Sequence, residues 1–240
     1  MTSLEVCVAA DELDTLAAQL RAVAEGGAQR VELCAAMAQE GLTPSAEAIK
    51  LARQSLTKEL ELLVMLRPRG GDFCYSAAEL QQFEQGLVWA ASCGADGVVL
   101  GCLTSDGRID RPALAPLLAR ARQAGLKVTF HRAFDVLVEP LQGLTELIDL
   151  QVDRVLTSGT PWLSGKGALE GVGRINEYLQ LADGRIEVVV GGGVSLDNLG
   201  VLCQQLAGPA RRLSFHCHSA LLSEYQVDRA KVSQAVALLA

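Results

Sequence analysis

Two Glu-x-Cys triplets carry the most chemistry in this chain: Glu5-Val6-Cys7 and Glu32-Leu33-Cys34. Both lie in short apolar runs that read as β-strands. Residues two apart on a strand point the same way, so each triplet puts a carboxylate and a thiol on one face. If the strands are neighbours, two carboxylates and two thiols share one space. Carboxylates enter a sheet interior only with a partner or a task. Thiolates are soft ligands for Cu(I) or Zn, and two of them from adjacent strands would make a two-coordinate dithiolate of the kind that suits Cu(I). Met65 and His216 are further soft candidates, so the metal-ligand set is Cys7, Cys34 and His216. A lone strand cysteine is usually a small buried hydrophobe, and Glu5 and Glu32 are equally placed to form ion pairs with Arg67 or Arg132. Tetrahedral Cys/His spacing for zinc is missing.

The elements that must position these groups alternate from end to end. Strand-like runs at 4–8, 30–34, 61–66, 97–100, 127–131, 154–157, 186–190 and 212–217 alternate with helical stretches near 11–25, 44–57, 76–93, 110–124, 138–150, 168–182, 195–207 and 225–239. Eight βα units of roughly 30 residues predict parallel strands closed into a single (β/α)8 TIM barrel over residues 1–240, with an open sheet as the alternative. Thr43-Pro44 predicts a capped helix start. Ser76-x-x-Glu79 predicts a capping box, and Gly26-Gly27 and Gly125 predict helix ends.

Barrel chemistry sits at the C-terminal ends of the strands. There the chain places Arg67-Pro68-Arg69-Gly70-Gly71-Asp72 after strand three, His131-Arg132-Ala133-Phe134-Asp135 after strand five, Gly191-Gly192-Gly193 after strand seven and His216-Cys217-His218 in and after strand eight. All three histidines fall at two of these ends. Arg67 and Arg69 read as an anion clamp or as loop-ordering groups. Gly191, Gly192 and Gly193, with Lys166 nearby and Ser195 capping the next helix, read as a phosphate or carboxylate cradle. His131 with Asp135 suggests a general base and its orienting carboxylate. Should the chain be an enzyme, Glu32, His131 and Asp135 are the proton-transfer candidates, with Arg132 polarising an oxygen. Its substrate would be a small phosphorylated or carboxylated molecule.

Composition narrows the partners. The chain has 240 residues, 50% of them hydrophobic, and a net charge of −7. That balance argues against nucleic acid and anionic membranes. Its start lacks a signal-peptide pattern, and its apolar runs are too short to span a bilayer. Seven scattered cysteines, an odd number, suit a reduced cytoplasmic protein rather than a disulfide framework. The apolar stretch 13–23 suggests an outer helix that pairs two copies into a homodimer.

These tracts resemble the CutC family, named for copper homeostasis. The resemblance runs along nearly the whole chain: Glu5-Val6-Cys7-Val8, Val31-Glu32-Leu33-Cys34, Gly41-Leu42-Thr43-Pro44-Ser45, Arg67-Pro68-Arg69-Gly70-Gly71-Asp72-Phe73, Thr129-Phe130-His131-Arg132-Ala133-Phe134-Asp135, Gly191-Gly192-Gly193 and Phe215-His216-Cys217. It implies a cytoplasmic, oligomeric TIM barrel with a role in copper tolerance or trafficking and Cu(I) on Cys7 and Cys34. No other cofactor is suggested. The chain departs from the family pattern at Ser214, where a glutamate is usual, at Gln39-Glu40, in the insertion-like loop around Trp162 and at His218.

Overall fold

The computed structural model describes residues 2–209 and 211–240. Eight strands form a closed parallel barrel in sequence order. They are β1 (Ser3–Ala9), β2 (Arg30–Cys34), β3 (Glu61–Met65), β4 (Gly97–Leu100), β5 (Lys127–Phe130), β6 (Arg154–Thr157), β7 (Glu187–Val190) and β8 (Leu213–Cys217). The intervening helices are α1 (Leu13–Glu25), α2 (Ala46–Ser55), α3 (Ala77–Ser92), α4 (Arg111–Gln123), α5 (Pro140–Asp149), α6 (Val172–Ala182) and α7 (Leu199–Leu206), and α8 (Arg229–Leu238) follows the last strand. The (β/α)8 barrel expected from the sequence is the fold, and β8 closes on β1 through Glu5 opposite His216.

Alternation sorts each strand. On β1, Leu4, Val6 and Val8 face the helices and join the large core, whereas Glu5 and Cys7 face the barrel axis. On β2, Val31 and Leu33 point outward and Arg30, Glu32 and Cys34 inward. The inner apolar cluster is small: Cys7, Cys34, Leu63, Met65 and Val99, with Met37 packed against it. Barrel stagger offsets the register so that Cys7 lies opposite Glu32 and Ala9 opposite Cys34.

Below that cluster the barrel is filled by charge. Arg30, Glu61, Arg154 and Glu187 each open a strand and meet across the axis. Arg30 also reaches Glu5 at 3.2 Å. Ser214 donates to Glu187 at 2.6 Å, which ties β8 into the same network.

The helix starts follow local chemistry, with corrections. Ser76 and Glu79 form the expected capping box at α3. Ser76→Ala is therefore expected to cost about 1 kcal/mol of stability in urea unfolding, and an unchanged midpoint would refute the cap's role. The start of α2 is capped by Ser45, which accepts from the Ala48 amide at 3.1 Å. Thr43 instead braces the end of β3, exchanging hydrogen bonds with the Arg67 backbone. The segment after β7 begins its helix later than expected, with Asn198 flanking α7 and the Ser195 carbonyl accepting from Leu199. Leu16, Leu20 and Val23 of the stretch 13–23 are fully buried in the core, so that run covers the barrel instead of forming an outer apolar face.

Candidate functional site

At the C-terminal mouth of the barrel lies a cavity of about 210 Å³. Its walls include Cys7, Glu32, Cys34, Met65 and His216 on one side of the sequence pattern, and Arg67, Phe73, His131, Arg132 and Trp162 from the loops. It thus gathers most of the residues singled out by type and spacing.

The thiols meet. Cys7 and Cys34 sulfurs are 3.8 Å apart, and Cys34 donates to Glu32 Oε1 at 3.1 Å. Cys7, Cys34 and Glu32 offer ligand atoms within 4.8 Å of one another, and Glu5, Glu32 and His216 form a second such group. His216 Nδ1 sits 2.7 Å from Glu5 Oε1 and 3.6 Å from Glu32 Oε2. The carboxylate partners are thus His216 and Arg30, not the Arg67 and Arg132 considered from sequence. His218, just past the strand, places Nδ1 3.1 Å from the Cys7 carbonyl.

These contacts divide the protons unequally. The hydrogen bond with Cys34, against burial and helped by His216 and His218, holds the Cys7 thiol well below its ordinary value. The same hydrogen bond, with burial and the charges of Cys7 and Glu32, pushes Cys34 well above. Burial raises the Glu32 carboxyl to about 8 despite the nearby His216 charge. Burial alone would lower His216, but Glu32, Cys7 and Glu5 together raise it well above the usual imidazole value. Burial opposes ionisation of Glu5 too, yet its hydrogen bond to His216 and the charges of His216, Arg30 and Arg154 keep it below the carboxylate range. The arrangement favours the thiolate on Cys7 and the imidazolium on His216, and favours the proton on Cys34 and Glu32.

The loop residues sort differently from the sequence pattern. His131 and Asp135 do not pair. His131 Nδ1 accepts from the Ala133 amide at 3.2 Å, at the start of a 3-10 turn. Asp135 takes Arg132 Nε at 2.9 Å, the Ser158 amide and hydroxyl at 3.1 and 3.0 Å, and the Thr157 hydroxyl. Asp135 therefore anchors Arg132, which also donates to Ser158 at 2.9 Å and lies 4.8 Å over the Trp162 ring. Gly101 makes room for the His131 ring: an added Cβ would fall 2.7 Å from its Nδ1 and Cε1. Burial and the Arg67 charge lower His131 to about 3, so it is neutral.

Arg67 and Arg69 diverge. Arg67 is buried, donates to the carbonyls of Gln39, Glu40 and Gly71, and packs 4.9 Å over Phe73. Arg69 turns outward to Glu79 at 2.5 Å and Asp72 at 2.9 Å, and it does not line the cavity. Gly191, Gly192 and Gly193 are likewise outside its lining. Gly192, at φ +86°, has its absent Cβ 3.0 Å from the Arg132 guanidinium, so it makes space for that side chain. Lys166 is exposed on its loop. Met37, Glu40, Leu156, Trp162 and His218 line the cavity without having been singled out as site residues. Phe73 and Trp162, edge to face at 5.8 Å, belong to the Arg-rich tract and to the insertion-like loop, and those two departures from a plain strand end were the available signal.

The CutC family model matches residues 2–212. A human copper homeostasis protein cutC homolog is 40% identical over 214 residues, covering 89% of this chain and 72% of the relative. A family protein CutC from Bacteroides fragilis is 44% identical over 197 residues, 82% of this chain and 70% of that one. The crystal structure of a CutC protein from Streptococcus agalactiae superposes with a TM-score of 0.78 at 33% identity, covering 90% of this chain and 98% of the other.

Proposed function

The chain belongs to the CutC family, and from that premise we propose that it serves copper homeostasis by holding Cu(I) on Cys7 and Cys34, with His216 close by. The observation that carries the reading is the pair of buried sulfurs 3.8 Å apart, one of them already favoured as thiolate. Cu(I) is cargo here: soft sulfur donors select it over the hard ions that carboxylates prefer. Binding would release the Cys34 proton, because the metal takes the sulfur as thiolate. Among the described residues no helix is long and apolar enough to cross a membrane, and a cytoplasmic homodimer remains the expected setting. Exposed Val88 and Trp89 of α3 are apolar groups available for pairing, and sedimentation showing monomer alone at micromolar concentration would remove the dimer.

The test is anaerobic titration against a Cu(I) chelator. Replacing both cysteines by serine is expected to weaken binding by more than about 100-fold, because even supporting groups around a metal are worth 10–100-fold. Unchanged affinity in that variant would remove these thiols as the site.

A second reading is favoured by the cavity itself. Its wall combines two arginines, a neutral histidine and two aromatic rings beyond the thiols, more than metal storage needs. We infer that the same mouth accommodates a small anionic organic molecule and its chemistry, with Glu32, His131 and Arg132 closest to it.

A further inference from the structure

Two buried hydrogen-bond donors at the cavity have no acceptor. His131 is 4% exposed and Arg67 2% exposed, and both line the cavity. Among the described residues, His131 Nε2 and Arg67 Nε are buried without a partner. The His131 assignment follows from its other nitrogen: Nδ1 accepts from the Ala133 amide, so a neutral ring carries its proton on Nε2. Arg67 is a permanent donor whose other two nitrogens are already spent on carbonyls. Both groups pack on the Phe73 ring, His131 at 5.0 Å between centroids and Arg67 at 4.9 Å. Leaving two such donors buried and unpaired is costly, and it ordinarily marks a place where a ligand atom belongs. One buried carboxyl oxygen faces the same cavity without a hydrogen-bond partner, Glu32 Oε2.

We propose that the cavity binds a small hydroxycarboxylate, its carboxylate received by His131 Nε2–H and the Arg67 guanidinium and its hydroxyl hydrogen-bonded to Glu32 Oε2, with Phe73, Leu156 and Trp162 enclosing the carbon skeleton. This rests on the second reading above, that the mouth takes a small organic anion, and it makes His131 a hydrogen-bond donor, not a base. The donor set favours a flat carboxylate. The glycine cradle that would suit phosphate is filled instead by the Arg132 side chain beside Gly192.

With only three histidines in the chain, imidazole-selective ¹⁵N–¹H spectra of the intact wild-type protein test this directly, using glycolate, acetate and inorganic phosphate as probes at pH 7.5. His131→Asn assigns the resonance. The expected result is a His131 ring protonated on Nε2 whose signal shifts saturably with glycolate. Acetate, lacking the hydroxyl, should bind about tenfold more weakly, and His131→Asn should weaken glycolate by a similar factor, each the loss of one hydrogen bond. Glycolate that binds while perturbing Trp162 but not His131, or phosphate that outcompetes it, leaves a small-anion site standing and overturns this assignment. A His131 proton on Nδ1 overturns it without any ligand. Absence of binding by all three probes removes both this inference and the small-molecule reading.

Discussion

Arg30→Ala is expected to lower the unfolding free energy by about 3–5 kcal/mol, the usual cost of stripping one partner from a buried ionic cluster. Arg30 is almost fully buried and spreads its guanidinium over three carboxylates: Glu5 at 3.2 Å, Glu61 at 3.1 Å and Glu187 at 2.8 Å. Without it Glu5, itself fully buried, keeps only His216 as a close partner. Arg154 softens the loss, since it also bonds Glu61 at 2.7 Å and approaches Glu187 at 3.5 Å. Arg30→Lys should fall between wild type and Ala, because an ammonium keeps the charge but cannot fork to three acceptors. The effect should also reach the cavity, because Glu5 orients His216 beside Cys7 and its carboxyl would take up a proton more readily. Urea unfolding decides the matter: a loss below about 1 kcal/mol would mean that this layer is surface-like in its energetics.

That ionic layer shows what the sequence discloses and what it hides. Apart from Glu5, its members open their strands, so charged residues recur at strand starts as Arg30, Glu61, Lys127, Arg154 and Glu187. The recurrence is visible in the sequence. The pairing across the axis is not, because it joins residues up to 157 positions apart through the barrel's closure. The Glu-x-Cys faces were legible because strand alternation is strict. The anion clamp was not, because alternation stops where the strand does: beyond Met65 and Leu66, Pro68 redirects the chain, and Arg67 and Arg69 part company. The His131–Asp135 pairing failed for the same kind of reason. Four residues apart in a 3-10 turn, the two side chains are not stacked as they would be on an α-helix. Asp135 instead reaches the end of β6.

The unpaired, buried state of His131 has a consequence that ordinary unfolding measurements can read. Its imidazole is held at about 3 by burial and by the Arg67 charge, against about 6.5 in an unfolded chain. Between those values the unfolded state binds a proton that the folded state refuses. Stability from this group is therefore fully present above pH 6.5 and is lost as pH falls toward 3. The slope is about 1.4 kcal/mol per pH unit, or roughly 2 kcal/mol lost by pH 5. Other buried groups titrate in the same range, Glu32 with the opposite sign because its folded value is raised to about 8. The comparison that isolates His131 is with His131→Asn, whose amide oxygen can still accept from Ala133 but cannot titrate. Whatever the variant costs at pH 8, its deficit relative to wild type should shrink by about 2 kcal/mol at pH 5. Had Asp135 been the partner of His131, the imidazolium would be favoured on folding and the deficit would grow on acidification instead. A deficit that is flat or growing between pH 8 and pH 5 would mean that His131 is not held neutral in the folded protein, and its role as a donor at the cavity would fall with it.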